Sequence, residues 1–378
     1  MGFALTDEQQ IVRDAIREFA DAEVAPLAGV IDREHRPPLE NLPKMAALGL
    51  FGMLVPEEFG GSGADTLSYV IAVEELARRC ATHAVVVEAH SSLCCWPIVH
   101  FGTAEQKAAY LPVLASGEKI GAFALTEAGA GTDAGSSRTT AVRDGDEYVL
   151  DGQKVFITNG TFAQVFIVVA RTSDDGAKGL SAFIVDRDTP GFTVGEPERK
   201  LGIRGSATNP LGFVGARVPA ANRLGAEGDG YAIAMATLDG GRTGIAAQAV
   251  GIAQGAFEAA VDYAKQRVQF GKPIARQQAI QWMVADMATS IEAGRLLTHQ
   301  AAALEDAGED FTARASMAKL FCAQMAVQVA SAAIQVHGGN GYTEEYPVER
   351  AYRDAKITEI YEGTNEVQRM VIARGALR

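Results

Sequence analysis

The sequence predicts an α+β protein whose chain runs as helices, then a small β domain, then a helical bundle. Three observations carry this. An apolar period near 3.6 runs from Thr6 to about Glu118; short alternating runs between Gly-containing turns replace it at Lys119; long Ala-rich helical stretches return after about Asn222. The expected domains are therefore an N-terminal α-helical domain (1–118), a middle β domain (119–222) and a C-terminal bundle (223–378).

Each part has its own local signals. Thr6 with Gln9, and Thr103 with Gln106, are capping-box pairs, and Val12, Ile16 and Phe19 continue the first at helical spacing. Leu67 to Ala77 is amphipathic, whereas Ala81 to Ile98 is nearly free of charge apart from Glu88, as expected of a core helix or a pocket wall. Expected strands are Ile120 to Leu125, Glu147 to Leu150, Val155 to Thr158, Val165 to Ala170, Leu180 to Val185, Phe192 to Val194 and Leu211 to Val214. Turns are expected at Asp151-Gly152, Asn159-Gly160 and Asp175-Gly176. The bundle helices are expected over Tyr231 to Leu238, Thr243 to Arg267, Gln277 to Ala307 and Phe311 to His337, with a mixed helical stretch from Glu344 to Ile360.

The chain of 378 residues carries a formal charge of −13, which argues against nucleic acid as a partner. No run reads as a membrane span, Thr243 to Ala260 being the most apolar helical region. The N-terminus has no basic start followed by an apolar stretch, so a cytoplasmic location is expected. The four cysteines form no Cys-x-x-Cys pair and the six histidines do not cluster, so no metal is expected.

Several segments carry polar chemistry. Gly129-x-Gly131-x-x-Ala134 follows an expected strand, as a dinucleotide fingerprint would, but it leads into further strands and not into a helix. That context excludes the Rossmann reading and leaves a ligand-hugging loop, with Thr126 and Thr132 hydroxyls, or a plain connection. Phe156 and Thr158 share one face of a strand, and Asp239-Gly240-Gly241-Arg242 sets a carboxylate and a guanidinium at the head of a helix. Arg267 to Pro273 with Gln278 suits a phosphate, and Gln335 to Tyr342 ends a long helix in glycines. In Tyr361-Glu362-Gly363-Thr364, Gly363 breaks the helical pattern and holds the Glu362 carboxylate at a junction, a good place for a general base.

In this order and spacing the five motifs resemble those of the acyl-CoA dehydrogenase family, its short-chain and branched-chain members above all, over nearly the whole chain. The resemblance implies the three-domain fold ending in a four-helix bundle, FAD as cofactor, a homotetramer built as a dimer of dimers, an acyl-CoA substrate and an electron-transferring flavoprotein as electron acceptor. It implies that Phe123, Leu125, Thr126, Gly131, Thr132, Phe156, Ile157 and Thr158 contact the flavin end. Arg267, Phe270, Gln278, Gln335, Val336, Gly338 and Gly339 would reach the cofactor of a neighbouring subunit, and Thr364, Asn365 and Glu366 its adenine side. Thr132, Asp239, Arg242, Tyr361 and Gly363 would hold substrate. Glu362 would remove the α-proton while a hydride leaves the β-carbon for flavin N5, with the Glu362 N–H and a ribityl hydroxyl polarising the thioester oxygen.

Some relatives carry the base before the arginine of Asp-x-x-Arg; Gly241 stands there, which leaves Glu362 as the candidate. Glu362 also argues against nitroalkane oxidases, which have Asp, and against flavin monooxygenases, which lack the carboxylate. Asn209-Pro210 departs from the family and puts the local strand register in question. An inward Trp96 would shorten the acyl pocket; otherwise its ring packs among helices. The rival readings are a dehydrogenase of carrier-protein thioesters and a flavin-binding protein without turnover.

Overall fold

The computed structural model describes residues 4–377. Helix α1 (Asp7–Phe19) starts from the Thr6/Gln9 capping box with both reciprocal bonds made. It is followed by α2 (Ala25–Glu34), α3 (Leu42–Ala47) and α4 (Thr66–Arg79), the last capped by the Asp65 carboxylate. Helix α5 (Ala81–His90) widens to a π-turn over Ser91–Cys95 before α6 (Trp96–Phe101), and α7 (Ala104–Ala115) opens on the second capping box. Gln106 does more than cap: its Nε2 donates to the Ala221 and Arg223 carbonyls at 2.7 and 2.9 Å, which ties α7 to the end of the β domain.

The middle segment is an eight-stranded sheet of β1 (Gly121–Ala124), β2 (Thr140–Asp144), β3 (Glu147–Thr158), β4 (Val165–Arg171), β5 (Leu180–Asp186), β6 (Phe192–Val194), β7 (Thr208–Pro219) and β8 (Arg223–Leu224). The spatial order is β6-β7-β3-β2-β4-β5-β8, with β1 parallel beside β4. The turn expected at Asp151-Gly152 is not one: β3 runs straight through it. Gly152 adopts φ 145° because a Cβ would sit 2.7 Å from the Thr139 Cα, and the Asp151 carboxylate accepts from the Gly215 N–H at 2.7 Å. The strand register slips there and again between Lys154 and Ile157. Pro210 faces that second slip and, having no N–H, forfeits no ladder bond. Its carbonyl still accepts from Gly195 at 2.9 Å on the other side, so Asn209-Pro210 is accommodated within β7.

The C-terminal part holds α8 (Gly230–Gln266), the hairpin β9 (Val268–Gln269) and β10 (Lys272–Pro273), α9 (Gln278–Asp306), α10 (Thr312–His337), α11 (Pro347–Ala355) and α12 (Asn365–Ala376). The two helices expected over Tyr231–Leu238 and Thr243–Arg267 are one helix of 37 residues. Asp239 and Arg242 therefore sit within a helix and not at its head. Gly240-Gly241, read as a break, is helical, and the reason for glycine there is a close neighbour described below.

One hydrophobic core runs from α1, α4 and α5 into α8, α9 and α10, and a second joins α6 and α7 to β4, β5 and the start of α8. The sheet adds a third, around Phe166, Phe183, Phe192 and Phe213. Two helical stretches, Ala81–Phe101 and Thr312–Tyr342, are long and apolar enough to cross a membrane by length and composition, contrary to the expectation that none would be. The first is 78% buried within the protein, where its apolar residues fill the cores. On one side α5 meets β1 and β3, through His90 Nδ1 accepting from the Gly121 N–H at 2.9 Å and Asn159 donating to the Val86 carbonyl at 3.1 Å. Its other side faces α8. The α5 helix thus bridges the sheet to the bundle, and the candidate site forms along it.

Candidate active site

The Glu362–Gly363 turn lies between α11 and α12, and both residues are left-handed, at φ 51° and 90°. Glycine takes such a conformation freely; glutamate does so at a cost that the surroundings must offset. The Gly363 carbonyl accepts from Lys319 Nζ of α10 at 2.8 Å and from Gln368 Nε2 of α12 at 2.9 Å. Thr364 caps α12 through its hydroxyl, and Tyr361 OH hydrogen-bonds Gln248 of α8. So anchored, the Glu362 side chain projects against α8. A Cβ on Gly241 would stand 2.2 Å from Glu362 Oε2 and 3.1 Å from Leu93. Gly241 is glycine because the carboxylate occupies the space a side chain would need.

One helical turn on, Gly244 faces Glu88, whose Oε1 would lie 3.2 Å from an added Cβ. Glu88 is fully buried, accepts from the Ser92 hydroxyl and lies in the electrostatic reach of the Glu362 carboxyl. Burial, then the charge of Glu362, pushes the Glu88 carboxyl well above the usual carboxylate range. Burial also raises Glu362, to about 7, against the opposing pull of the neutral Glu88 carboxyl and the cations Lys319 and Arg242. The two carboxyls therefore disfavour each other's charge, and Glu88 is the one pushed further toward its neutral form. Glu362 Oε2 is buried without a protein donor, and among the described residues the Glu362 N–H has no acceptor. A carboxylate oxygen and a backbone donor are left available at one point. That pair can remove a proton and polarise a carbonyl oxygen.

Asp239 and Arg242 pair within α8, and Asp239 also accepts from the Thr312 hydroxyl at 3.0 Å. Arg242 Nε stays buried and unpaired. Trp96 stacks on His100 at 3.9 Å and meets Phe101 edge-on at 6.0 Å, so its ring packs against its own helix; Leu93 is the side chain beside Glu362.

The glycine-rich loop is held from beneath. Buried Lys154 donates to the Leu125 carbonyl at 2.9 Å, Glu127 at 2.8 Å and Ser137 at 2.8 Å. Despite the upward push of burial, Lys154, the Ser137 hydroxyl and the Thr139 N–H hold Glu127 down at about 2. Thr132 is exposed, Gly129 and Gly131 face open space, and Phe123 and Thr126 are partly exposed. Phe156 is 62% exposed at the β3 slip with Thr158 on the same side, while Leu125 and Ile157 point into the cores. Asn365 is buried and Glu366 exposed at the start of α12.

The remaining expected residues lie elsewhere. Arg267, Phe270 and Gln278 are exposed at the far end of α8. Gln335 to Gly339 join them there, since Tyr263 stacks on His337 at 4.3 Å and accepts from Asn340. About 25 residues of α8 separate this end from Gly241, roughly 38 Å at 1.5 Å per residue. The two sets do not meet within one chain. Sequence reading missed Lys319 and Lys154 and left Glu88 as core or pocket wall; for Glu88 and Lys319 a charged residue within an apolar helical run was the available signal, whereas Lys154 lies on β3.

An anchored, buried carboxylate beside an unengaged backbone N–H suits an enzyme that takes a proton next to a carbonyl. The chain belongs to the acyl-CoA dehydrogenase family: the N-terminal, middle and C-terminal domain models match residues 6–118, 122–215 and 228–377. It is 53% identical over 374 residues, 99% of both chains, to the short-chain-specific acyl-CoA dehydrogenase of Clostridium acetobutylicum. Butyryl-CoA dehydrogenase from Megasphaera elsdenii superposes with a TM-score of 0.98 at 48% identity over 100% of both chains. A chain from the structure described as electron transferring flavoprotein of Acidaminococcus fermentans gives 0.99 at 49% identity, again over 100% of both. The cofactor is FAD. The residues present fit it: Gly129, Gly131, Gly338 and Gly339 leave open space where side chains would stand, and Phe156 and Phe270 offer rings 62% and 94% exposed.

Proposed function

We propose that this acyl-CoA dehydrogenase oxidises short acyl-CoA thioesters to the 2-enoyl thioesters, with Glu362 as the base. The observation that carries the reading is the buried, donor-free Glu362 Oε2 lying against Gly241. A proton α to a thioester is far weaker an acid than a carboxylic acid, so the base must be strong and the forming enolate stabilised. Burial strengthens Glu362, while a position near 7 keeps a large fraction ionised at neutral pH. The unused Glu362 N–H is the chain's own donor to the thioester oxygen. Lys319, Gln368 and Thr364 hold the turn, so both groups stay in place as the proton moves. FAD, when bound, accepts the hydride from the β-carbon. The loop over Lys154 with Phe156 and Thr158 would hold its flavin end, and Thr364 to Glu366 its adenine side. Arg267, Gln278 and the Gln335 to Gly339 turn would act from a neighbouring subunit, because they lie too far from Glu362 to serve the same site. Thr132, Asp239 and Arg242 would hold the substrate.

A short acyl group is supported by the relatives named short-chain-specific and butyryl-CoA dehydrogenase. The likeness to the Acidaminococcus structure supports an electron-transferring flavoprotein as redox partner. Anaerobic titration with butyryl-, isobutyryl-, octanoyl- and palmitoyl-CoA tests the reading. Bleaching of the flavin band by the short thioesters, abolished by Glu362→Gln, is expected; bleaching that survives in the variant refutes the base, and preference for palmitoyl-CoA refutes the substrate.

A further inference from the structure

We propose that Lys319 is the positioning residue of the Glu362 base: it fixes the Glu362–Gly363 turn through the Gly363 carbonyl and keeps a buried amino group next to the carboxylate's own turn. This rests on the assignment of Glu362 above. Lys319 lies on α10 and is 0% exposed, a placement that takes an ammonium out of water at a cost of several kcal/mol. Buried ammonium groups are ordinarily matched by a carboxylate in contact. Among the described residues Lys319 makes no salt bridge, and its one hydrogen bond goes to a backbone carbonyl that Gln368 already engages.

A neutral side chain would serve that carbonyl without the desolvation. What a neutral group would not supply is charge, and the groups around Glu362 show where the charge acts. From α5 comes Glu88, an acid; from α4, Tyr69; from α8, Arg242; beside Glu362 itself is Tyr361. Burial pulls the Lys319 ammonium down to about 7 against the raising pull of Glu362, Glu359 and Glu366, so its charge is held by the carboxylates it faces and fades above neutral pH. Arg242 is the other cation, and it is already paired with Asp239. Lys319 is therefore the one cation bearing on Glu362 that has no carboxylate in contact among the described residues. Its hydrogen bond to the very next residue means that the charge cannot drift away from the carboxylate it serves.

The test is the pH dependence of kcat/KM for Lys319→Met and Lys319→Gln, with FAD content and thermal midpoint measured on the same preparations. Loss of a nearby cation that favours the carboxylate raises its pKa, by about one unit. The acidic limb should move up by that amount in both variants, and kcat/KM at pH 7 should fall roughly fivefold. Lys319→Gln retains a donor for Gly363 and should keep a higher plateau at alkaline pH than Lys319→Met. A purely structural role would lower the thermal midpoint and FAD content but leave the limb where it is in the wild type, and that result overturns the proposal. Should Lys319→Met lose FAD, Lys319→Gln carries the test, its volume and donor being closest to the original. Failure of the underlying assignment looks different: activity would then persist in Glu362→Gln in the wild-type background.

Discussion

Gly241 offers a perturbation whose effects on stability and catalysis separate. In Gly241→Ala the new methyl would lie 2.2 Å from Glu362 Oε2 and 3.1 Å from a Leu93 methyl. Ordinary contact is about 3.4 Å, so the carboxylate must retreat by about 1 Å. A displacement of that size in a reacting group costs on the order of 100-fold in rate. Stability moves the other way or hardly at all, because alanine inside a helix is favoured over glycine by about 1 kcal/mol. Spread over a chain of this length, that gain amounts to roughly 1 °C in Tm, less whatever the crowding takes back. Gly240→Ala is the internal control: its methyl meets only Glu305 Oε1 at 3.5 Å, an ordinary contact. Steady-state kcat/KM with butyryl-CoA and an artificial electron acceptor, alongside a melting curve, reads both quantities. The expectation is a loss of about 100-fold for Gly241→Ala at nearly unchanged Tm, with Gly240→Ala close to wild type. Equal activity in the two variants would refute the placement of the carboxylate.

Glu362→Gln should change the pH dependence of stability. Its pKa in the folded protein, about 7, lies above the value in the unfolded chain, so the stability it contributes is full below about pH 4.5 and is lost as pH rises through 7. The variant should therefore melt with the wild type at low pH and above it at pH 8; parallel curves would argue that the carboxyl is not desolvated. Lys154→Met should remove the cation from part-buried Glu127, which keeps the Ser137, Arg138 and Thr139 donors, and cost about 1–3 kcal/mol, lowering both Tm and the flavin absorbance per subunit. A variant that binds FAD normally would show that the glycine loop does not depend on this lysine. Mixing subunits carrying Arg267→Gln with subunits carrying Glu362→Gln tests the shared site: an intact centre should form between one subunit's Glu362 and the other's Arg267, restoring activity that neither variant has alone, whereas no recovery would place Arg267 outside the cofactor site.

What the sequence could and could not disclose follows from how far each feature's cause lies along the chain. The capping boxes at Thr6 and Thr103 were legible because their partners stand three residues away. Most strands were legible because alternation is local; Asp151-Gly152 was misread because the residue that forces Gly152 into its conformation, Thr139, comes from the neighbouring strand. Gly240-Gly241 was misread as a helix break for the same reason. On propensity alone a glycine pair ends a helix, yet the carboxylate that requires Gly241 arrives 121 positions later, at Glu362. Glu362 itself was legible through the glycine that follows it, since a left-handed turn leaves a mark in the sequence. The groups that set its chemistry left none. Glu88 and Lys319 each sit alone in an Ala-rich or apolar helix, where a solvated charge and a buried one are spelled alike. Only packing distinguishes them: both are 0% exposed and both converge on the one turn. A lone charge whose helical neighbours are apolar all round is therefore the residue to examine first in such a chain, because a helix buried on every face gives it no route to water.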